Sequence, residues 1–244
     1  MTGRLGLALA LPALLVLGGC IPQPATSQAQ ATATLYWIFI GAGAVVAALV
    51  WGLISWSILR YRRRDDSLPV QTRGNVTLEV IWTGLPILTV LVLFGLTLVT
   101  LGRVDARSGD HGVNVKVTAF QWQWRFDYLD AGVSVIGRVD QPPTFVVPAG
   151  VPVHVTLVSN DVDHAFWVPA FLFKRDAIPG HPTQFDFEVV TPGTYAGQCA
   201  EFCGVYHDRM LLTVQAVSQA DYQAWLTTQR AATSPSPSPS GSAP

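Results

Sequence analysis

The sequence predicts a two-helix transmembrane hairpin followed by an all-β barrel. Three features point there: two long uncharged apolar runs, an arginine-rich connection between them, and a later stretch of short alternating segments broken by Pro and Gly. The apolar runs cover 35–59 and 81–101, and each reaches the roughly 20 residues that a helix needs to cross hydrocarbon. Arg60, Arg62, Arg63, Arg64 and Arg73 all fall in the connection. By the positive-inside rule this loop is cytoplasmic, and both flanking ends are outside. Tyr36 and Trp37 at one end, with Trp56 and Tyr61 at the other, suit the two interfacial aromatic belts.

Before the hairpin, Arg4 precedes an apolar run over 5–17 that is too short to span a bilayer and reads as an export signal. Its end, Leu17-Gly18-Gly19-Cys20, resembles a bacterial lipobox. Residues 1–19 are then a lipoprotein-type signal peptide, and Cys20 becomes a candidate lipid anchor. Residues 20–103 hold the N-terminal segment and hairpin, 104–230 the β domain, and 231–244 a disordered Ser/Pro tail that cannot bury enough apolar surface to order itself. The 244-residue chain carries a formal net charge of −1, half its residues are hydrophobic and 13% are charged. Its basic residues form no patch of the size that neutralising phosphates requires, so no nucleic-acid partner is expected.

Within the β domain, Val113, Val115 and Val117 alternate with polar residues, as do Val151, Val153, Val155 and Leu157, then Phe185, Phe187 and Val189. Phe120, Trp122, Trp124, Phe126 and Tyr128 fall on one face of a single expected strand. Ser218 and Asp221 mark the start of a helix over 219–229, with Tyr222 and Trp225 on one face closing the domain. Pro86 is placed in the first turns of the second membrane helix.

The chemistry is concentrated in Cys199-Ala200-Glu201-Phe202-Cys203-Gly204-Val205-Tyr206-His207-Asp208-Arg209-Met210, with His164 upstream. Removal of the signal would leave Cys199 and Cys203 as the ectodomain thiols and Met210 as the one methionine. Thiolate, imidazole and thioether form the donor set that soft and borderline metals select, and copper electron-transfer sites add a weak axial Met. One blue-copper ion would use a single thiolate, so the second Cys needs an explanation. Two thiolates on one tight loop could bridge two coppers, with His164 on one and His207 on the other. Met210 and a backbone carbonyl, that of Glu201, would complete them. The plain alternative for Cys199 and Cys203 is a disulfide, which an oxidising exterior permits, but it leaves His164, His207 and Met210 unexplained.

This pattern resembles the CuA domain of cytochrome c oxidase subunit II, in the haem–copper oxidase family. The likeness also includes Glu79-Val80-Ile81-Trp82-Thr83-Gly84-Leu85-Pro86, Gln121-Trp122-Gln123-Trp124, Asp161-Val162-Asp163-His164 and Lys174-Arg175-Asp176-Ala177-Ile178-Pro179-Gly180. The resemblance implies a cupredoxin-like Greek-key barrel behind the hairpin. It implies two copper ions on His164, Cys199, the Glu201 carbonyl, Cys203, His207 and Met210, and electron entry from cytochrome c near Trp122. It further implies that the Glu201 side chain faces a magnesium ion at the contact with the catalytic subunit I, and that Glu79 lies by the mouth of a proton path.

On this reading the chain is the electron-entry subunit of a respiratory oxidase in a bacterial cell membrane, with the copper domain outside and other oxidase subunits as partners. It passes electrons to haem elsewhere for oxygen reduction coupled to proton translocation. The chain has no Cys-x-x-Cys-His of its own for an attached haem. A copper-delivery protein is one rival; ready release of copper to a weak chelator would favour it. A quinol oxidase subunit is the other, and Cys199 and Cys203 argue against it. Gln123 and Ala165 depart from the family's commonest pattern without touching the ligands. Asp127, Asp161 and Asp163 are candidate attractors for a basic cytochrome.

Overall fold

The computed structural model describes residues 21–63, 65, 71, 73–109 and 111–233. The signal peptide, the Cys20 anchor, Arg64 and the tail beyond 233 lie outside the described residues. The chain divides into a hairpin unit, Ala31–Val104, and a β unit made of Met1–Gln30 and Asp105–Pro244.

The hairpin helices are α1, Ser27–Arg60, and α2, Val76–Val104. Both start earlier than the apolar runs, because capping rather than hydropathy sets a helix end. Thr26 Oγ1 accepts the Ala29 N–H at 3.0 Å, and Asn75 Oδ1 accepts the Leu78 N–H at 3.2 Å. Pro86 is therefore inside α2 and past its first turns, a correction that follows from the earlier cap. Arg60 and Arg103 stand in the last turns, where a cation complements the helix dipole. Large apolar side chains such as Trp51, Leu59, Val90 and Phe94 are exposed along both helices. Such a surface suits hydrocarbon and not water. Both helices are long and apolar enough to cross a membrane.

Among the described residues the β unit has ten strands. These are β1 Val113–Phe120, β2 Gln123–Tyr128, β3 Val133–Ile136, β4 Thr144–Pro148, β5 Val153–Ser159, β6 His164–Val168, β7 Phe173–Ala177, β8 Thr183–Phe187, β9 Gly193–Cys199 and β10 Leu211–Val217, followed by helix α3, Gln219–Thr233. They form two five-stranded sheets in the orders β3-β2-β1-β5-β8 and β4-β10-β9-β6-β7. The alternation works as expected: Val115, Val117, Val153, Val155 and Leu157 are buried with Phe185 and Phe187. Between the sheets Phe126 stacks on Phe145 at 4.5 Å, and Trp124 meets Phe166 edge-on at 5.9 Å. Each such buried aromatic contributes about 1.5–3 kcal/mol by removal from water.

The single aromatic strand expected over 120–128 is in fact two strands. The chain reverses at Gln121 and Trp122, with Phe120 opposite Gln123 in register. Trp124, Phe126 and Tyr128 keep the inward face, while Trp122 sits in the turn and is half-buried. This turn has no Gly or Pro to announce it. It is held from outside the hairpin, because Asp161 Oδ2 accepts the Gln121 N–H at 2.7 Å.

Helix α3 starts as the sequence indicates. Ser218 Oγ accepts the Asp221 N–H at 3.2 Å and donates to Asp221 Oδ2 at 2.6 Å. Tyr222 is buried and Trp225 packs edge-on against Tyr128 at 5.0 Å. The helix runs to Thr233, a little into the segment expected to be disordered.

Candidate metal centre

Three neighbouring strands carry the candidate ligands to one end of the sandwich. His164 opens β6, Cys199 ends β9, and Met210 directly precedes β10. Since β9 lies between β10 and β6, their ends converge by sheet geometry alone. Two backbone bonds lock the register there: Cys199 N–H to the Met210 carbonyl at 2.9 Å, and Ala200 N–H to the Ala165 carbonyl at 3.0 Å. The loop between β9 and β10 supplies Glu201, Cys203 and, in a short 3-10 turn His207–Arg209, His207.

The two sulfurs are 3.9 Å apart, well beyond the ~2.05 Å of a disulfide. Each faces its own imidazole: Cys199 Sγ lies 3.7 Å from His164 Nδ1, and Cys203 Sγ 3.5 Å from His207 Nδ1. Met210 Sδ is 3.8 Å from Cys203 Sγ, and the Cys199 thiol donates to the Glu201 carbonyl at 3.3 Å. His164 and Met210 are fully buried, and both cysteines nearly so. His164, Cys199 and Cys203 alone bring three ligand atoms within 4.8 Å of one another.

The two thiols differ in their electrostatics. Burial raises the Cys199 thiol, but His164 and the neighbouring backbone outweigh it and bring it down to about 7. Cys203 is pushed up to about 12 by burial and by the adjacent Cys199 charge. Two thiolates this close repel unless a cation lies with them. Two thiolates, two imidazoles, a thioether and a carbonyl are donors of the kind that a soft or borderline cation accepts, so the residues fit copper.

Asp161 takes a role different from that of a surface attractor. Its Oδ1 accepts from His164 Nε2 at 2.9 Å, which leaves Nδ1 free to face the sulfur. Burial raises the Asp161 carboxyl, but the Gln121 N–H, His164 and the Val162 N–H outweigh it and hold it below the usual carboxylate range. Burial opposes charge on His164 too, while Cys199 and Asp161 raise its pKa. The Asp-x-x-His spacing was the sequence signal for this pairing.

Trp122 and Gln121 grip the ligand loop from the other sheet. The Trp122 indole N–H donates to the Cys203 carbonyl at 3.0 Å, and Gln121 Nε2 donates to the same oxygen at 2.7 Å. Gly204, at φ +116°, allows this approach, since a Cβ there would lie 3.2 Å from Trp122 Nε1. Tyr206 meets Trp122 edge-on at 5.1 Å, a neighbour that sequence pattern did not reveal. Trp124 Nε1 donates to the Met210 carbonyl at 3.4 Å.

The Lys174 to Gly180 motif braces the same end. Ala177 pairs with His164 across β7 and β6, and Lys174 Nζ donates to Glu201 Oε2 at 3.0 Å. That contact is the main cause of the raised Lys174 pKa. Glu79 stands in the first turn of α2, in the separate hairpin unit.

Two family models match the chain. The transmembrane domain of cytochrome c oxidase subunit II matches residues 17–101, and its periplasmic domain matches 135–217. A probable cytochrome c oxidase subunit 2 of Streptomyces avermitilis is 34% identical over 84% of this chain and 77% of its own length. The chain belongs to the cytochrome c oxidase subunit II family. A subunit 2 of Mycobacterium bovis is 30% identical over 91% of this chain and 81% of its own. The crystal structure of the periplasmic domain of subunit II of Bradyrhizobium japonicum cytochrome oxidase covers 53% of this chain and 99% of its own, at 28% identity and a TM-score of 0.48. As a subunit II family member, the chain is part of an oxidoreductase complex and serves electron entry.

Proposed function

We propose that the convergent cluster is a dinuclear copper centre held by His164, Cys199, the Glu201 carbonyl, Cys203, His207 and Met210. The observation that carries this reading is the pair of unbonded, buried sulfurs 3.9 Å apart, each with its own imidazole nitrogen. When bound, such a pair supplies a one-electron site whose charge is shared between two metals.

The chain's own residues hold and connect that site. Asp161 fixes the His164 ring through Nε2, and the β9/β10 register fixes Cys199 against Met210. The sulfurs are almost fully buried, and a dry, rigid ligand set limits rearrangement when charge changes. Trp122 joins a half-exposed ring to the Cys203 peptide through one hydrogen bond. That continuity supports Trp122 as the port for electrons from cytochrome c, which then pass to haem in the catalytic subunit.

The finer assignments follow the same reading. A magnesium ion reached by Glu201 would have to share that carboxylate with Lys174. Glu79 lines a proton path from the hairpin side, and Cys20 carries a lipid anchor. The deciding experiment is electron paramagnetic resonance and metal analysis of the copper-loaded complex. The expected result is two coppers per chain and hyperfine structure from one electron spread over both nuclei. A single-copper pattern, or a Cys199–Cys203 disulfide in the working oxidase, overturns it.

A further inference from the structure

A second buried polar cluster lies away from the copper ligands. Asp186 on β8 has a fully buried side chain, directly across from His154 on β5. Its Oδ2 lies 3.0 Å from His154 Nδ1 and accepts the Ser108 backbone N–H at 2.6 Å. Among the described residues its Oδ1 has no hydrogen-bond partner, and Arg107 Nε lies 3.4 Å from it. Two of these three contacts come from the segment that leaves the second membrane helix.

That segment is tied down along its length. Asp105 pairs with Arg175 of β7, whose guanidinium lies over the Phe173 and Phe185 rings at 5.3 and 5.9 Å. Gly112 passes so close to His154 that a Cβ would stand 2.4 Å from Nε2. The residues just beyond Asp186 do the same for the other chain entry. Glu188 O accepts the Ser27 N–H at 3.1 Å, Val190 N–H donates to the Ala25 carbonyl at 2.9 Å, and Thr26 bridges to Val189. Ala25 and Thr26 are buried there like core residues.

We propose that β8 and its continuation to Val190 form the anchor bar by which the β domain grips both of its chain entries, with Asp186 as the positioning residue for the entry after the second membrane helix. A buried carboxylate with an unfilled acceptor is costly unless compensated. Here the compensation is the backbone and the guanidinium of the linker itself, so the carboxylate selects one seating of the linker over others. Electron passage out of the domain depends on a fixed distance to the next acceptor, and a loosened linker would blur that distance. The consequence for electron passage rests on the copper reading; the anchoring does not.

The test uses the assembled oxidase. Asp186→Asn keeps the shape and removes the charge, and Arg107→Gln removes only the linker's ionic contact with Asp186 while leaving Asp186 beside His154. Hydrogen exchange at residues 105–109 is expected to accelerate ~10-fold in Asp186→Asn and ~3-fold in Arg107→Gln. The copper spectrum and electron uptake from reduced cytochrome c should be unchanged, while transfer to the next acceptor slows. If Asp186→Asn does not assemble, Arg107→Gln decides. Exchange within ~2-fold of wild type in the variants that assemble overturns the anchor. Faster exchange with unchanged onward transfer overturns its role in electron passage. Absence of a copper spectrum in the wild-type complex would instead remove the copper reading.

Discussion

The two ends of the β sandwich both carry buried side chains and are differently built. At the end of β9 and the start of β10, His164, Cys199, Cys203 and Met210 turn their polar and sulfur atoms mainly toward one another. At the opposite end, Tyr128 donates its O–H to the Val146 carbonyl at 2.8 Å and accepts the Val146 N–H at 2.9 Å, so its polar atom is fully used by the backbone. Tyr222 and Trp225 stack beside it. One end gathers sulfur and imidazole donors that face one another, and at the other the buried Tyr128 hydroxyl is taken up by the backbone. Substitutions at the first should cost chemistry without folding, and at the second folding without chemistry.

Cys203→Ser or His164→Ala tests the first half most severely. Electron uptake should fall by at least ~100-fold, since residues that merely brace a ligand are worth ~10–100-fold, with little change in thermal unfolding. Stopped-flow oxidation of cytochrome c reads the loss, and a large drop in melting temperature would break the contrast. Tyr128→Phe tests the second half. It strands the buried Val146 N–H and should cost about 2 kcal/mol. Thermal unfolding should register this with the copper spectrum unmoved.

Trp122→Ala falls between the two ends, because the indole both grips the Cys203 carbonyl and reaches the surface. Turnover should slow ~10-fold, equivalent to about 1.4 kcal/mol, with the copper spectrum retained; an unchanged rate would return Trp122 to a purely structural role. The mildest effect is alkaline. Burial, with Asp130 nearby, pushes Tyr222 up to about 12, against an ordinary value of ~10. Burial likewise raises Tyr128. A raised phenol stabilises the fold fully below the ordinary value and loses that contribution as pH climbs through about 12. The part of the tyrosinate absorbance that Tyr128→Phe and Tyr222→Phe remove should therefore appear late and together with loss of the far end's near-ultraviolet dichroism.

Much of the site was legible because its chemistry is written in residues that are rare in this chain. Cys199, Cys203, His207 and Met210 fall within twelve consecutive positions, and His164 is carried by Asp161-Val162-Asp163-His164. The less legible residues are chemically ordinary. Gln121 and Tyr206 matter only because a turn and a loop from different sheets meet at the Cys203 carbonyl and the Trp122 ring. Asp161 could be counted as a surface charge until its two oxygens were seen to serve His164 and Gln121. The aromatic run hid its own reversal, since alternation reports which face a side chain takes and not whether the strand has turned.

Composition and order alone determined the membrane hairpin, its orientation, the β class and the donor set, because each depends on local pattern: apolar length, loop charge, period-two alternation and ligand spacing. Tertiary structure decided which strands are neighbours, and so which side chains share a site. The β10-β9-β6 adjacency joins His164 to residues some forty positions later, and Asp186 finds Ser108 across 78 positions. Such long-range contacts depend on how whole sheets pack, and no short stretch of sequence encodes that packing.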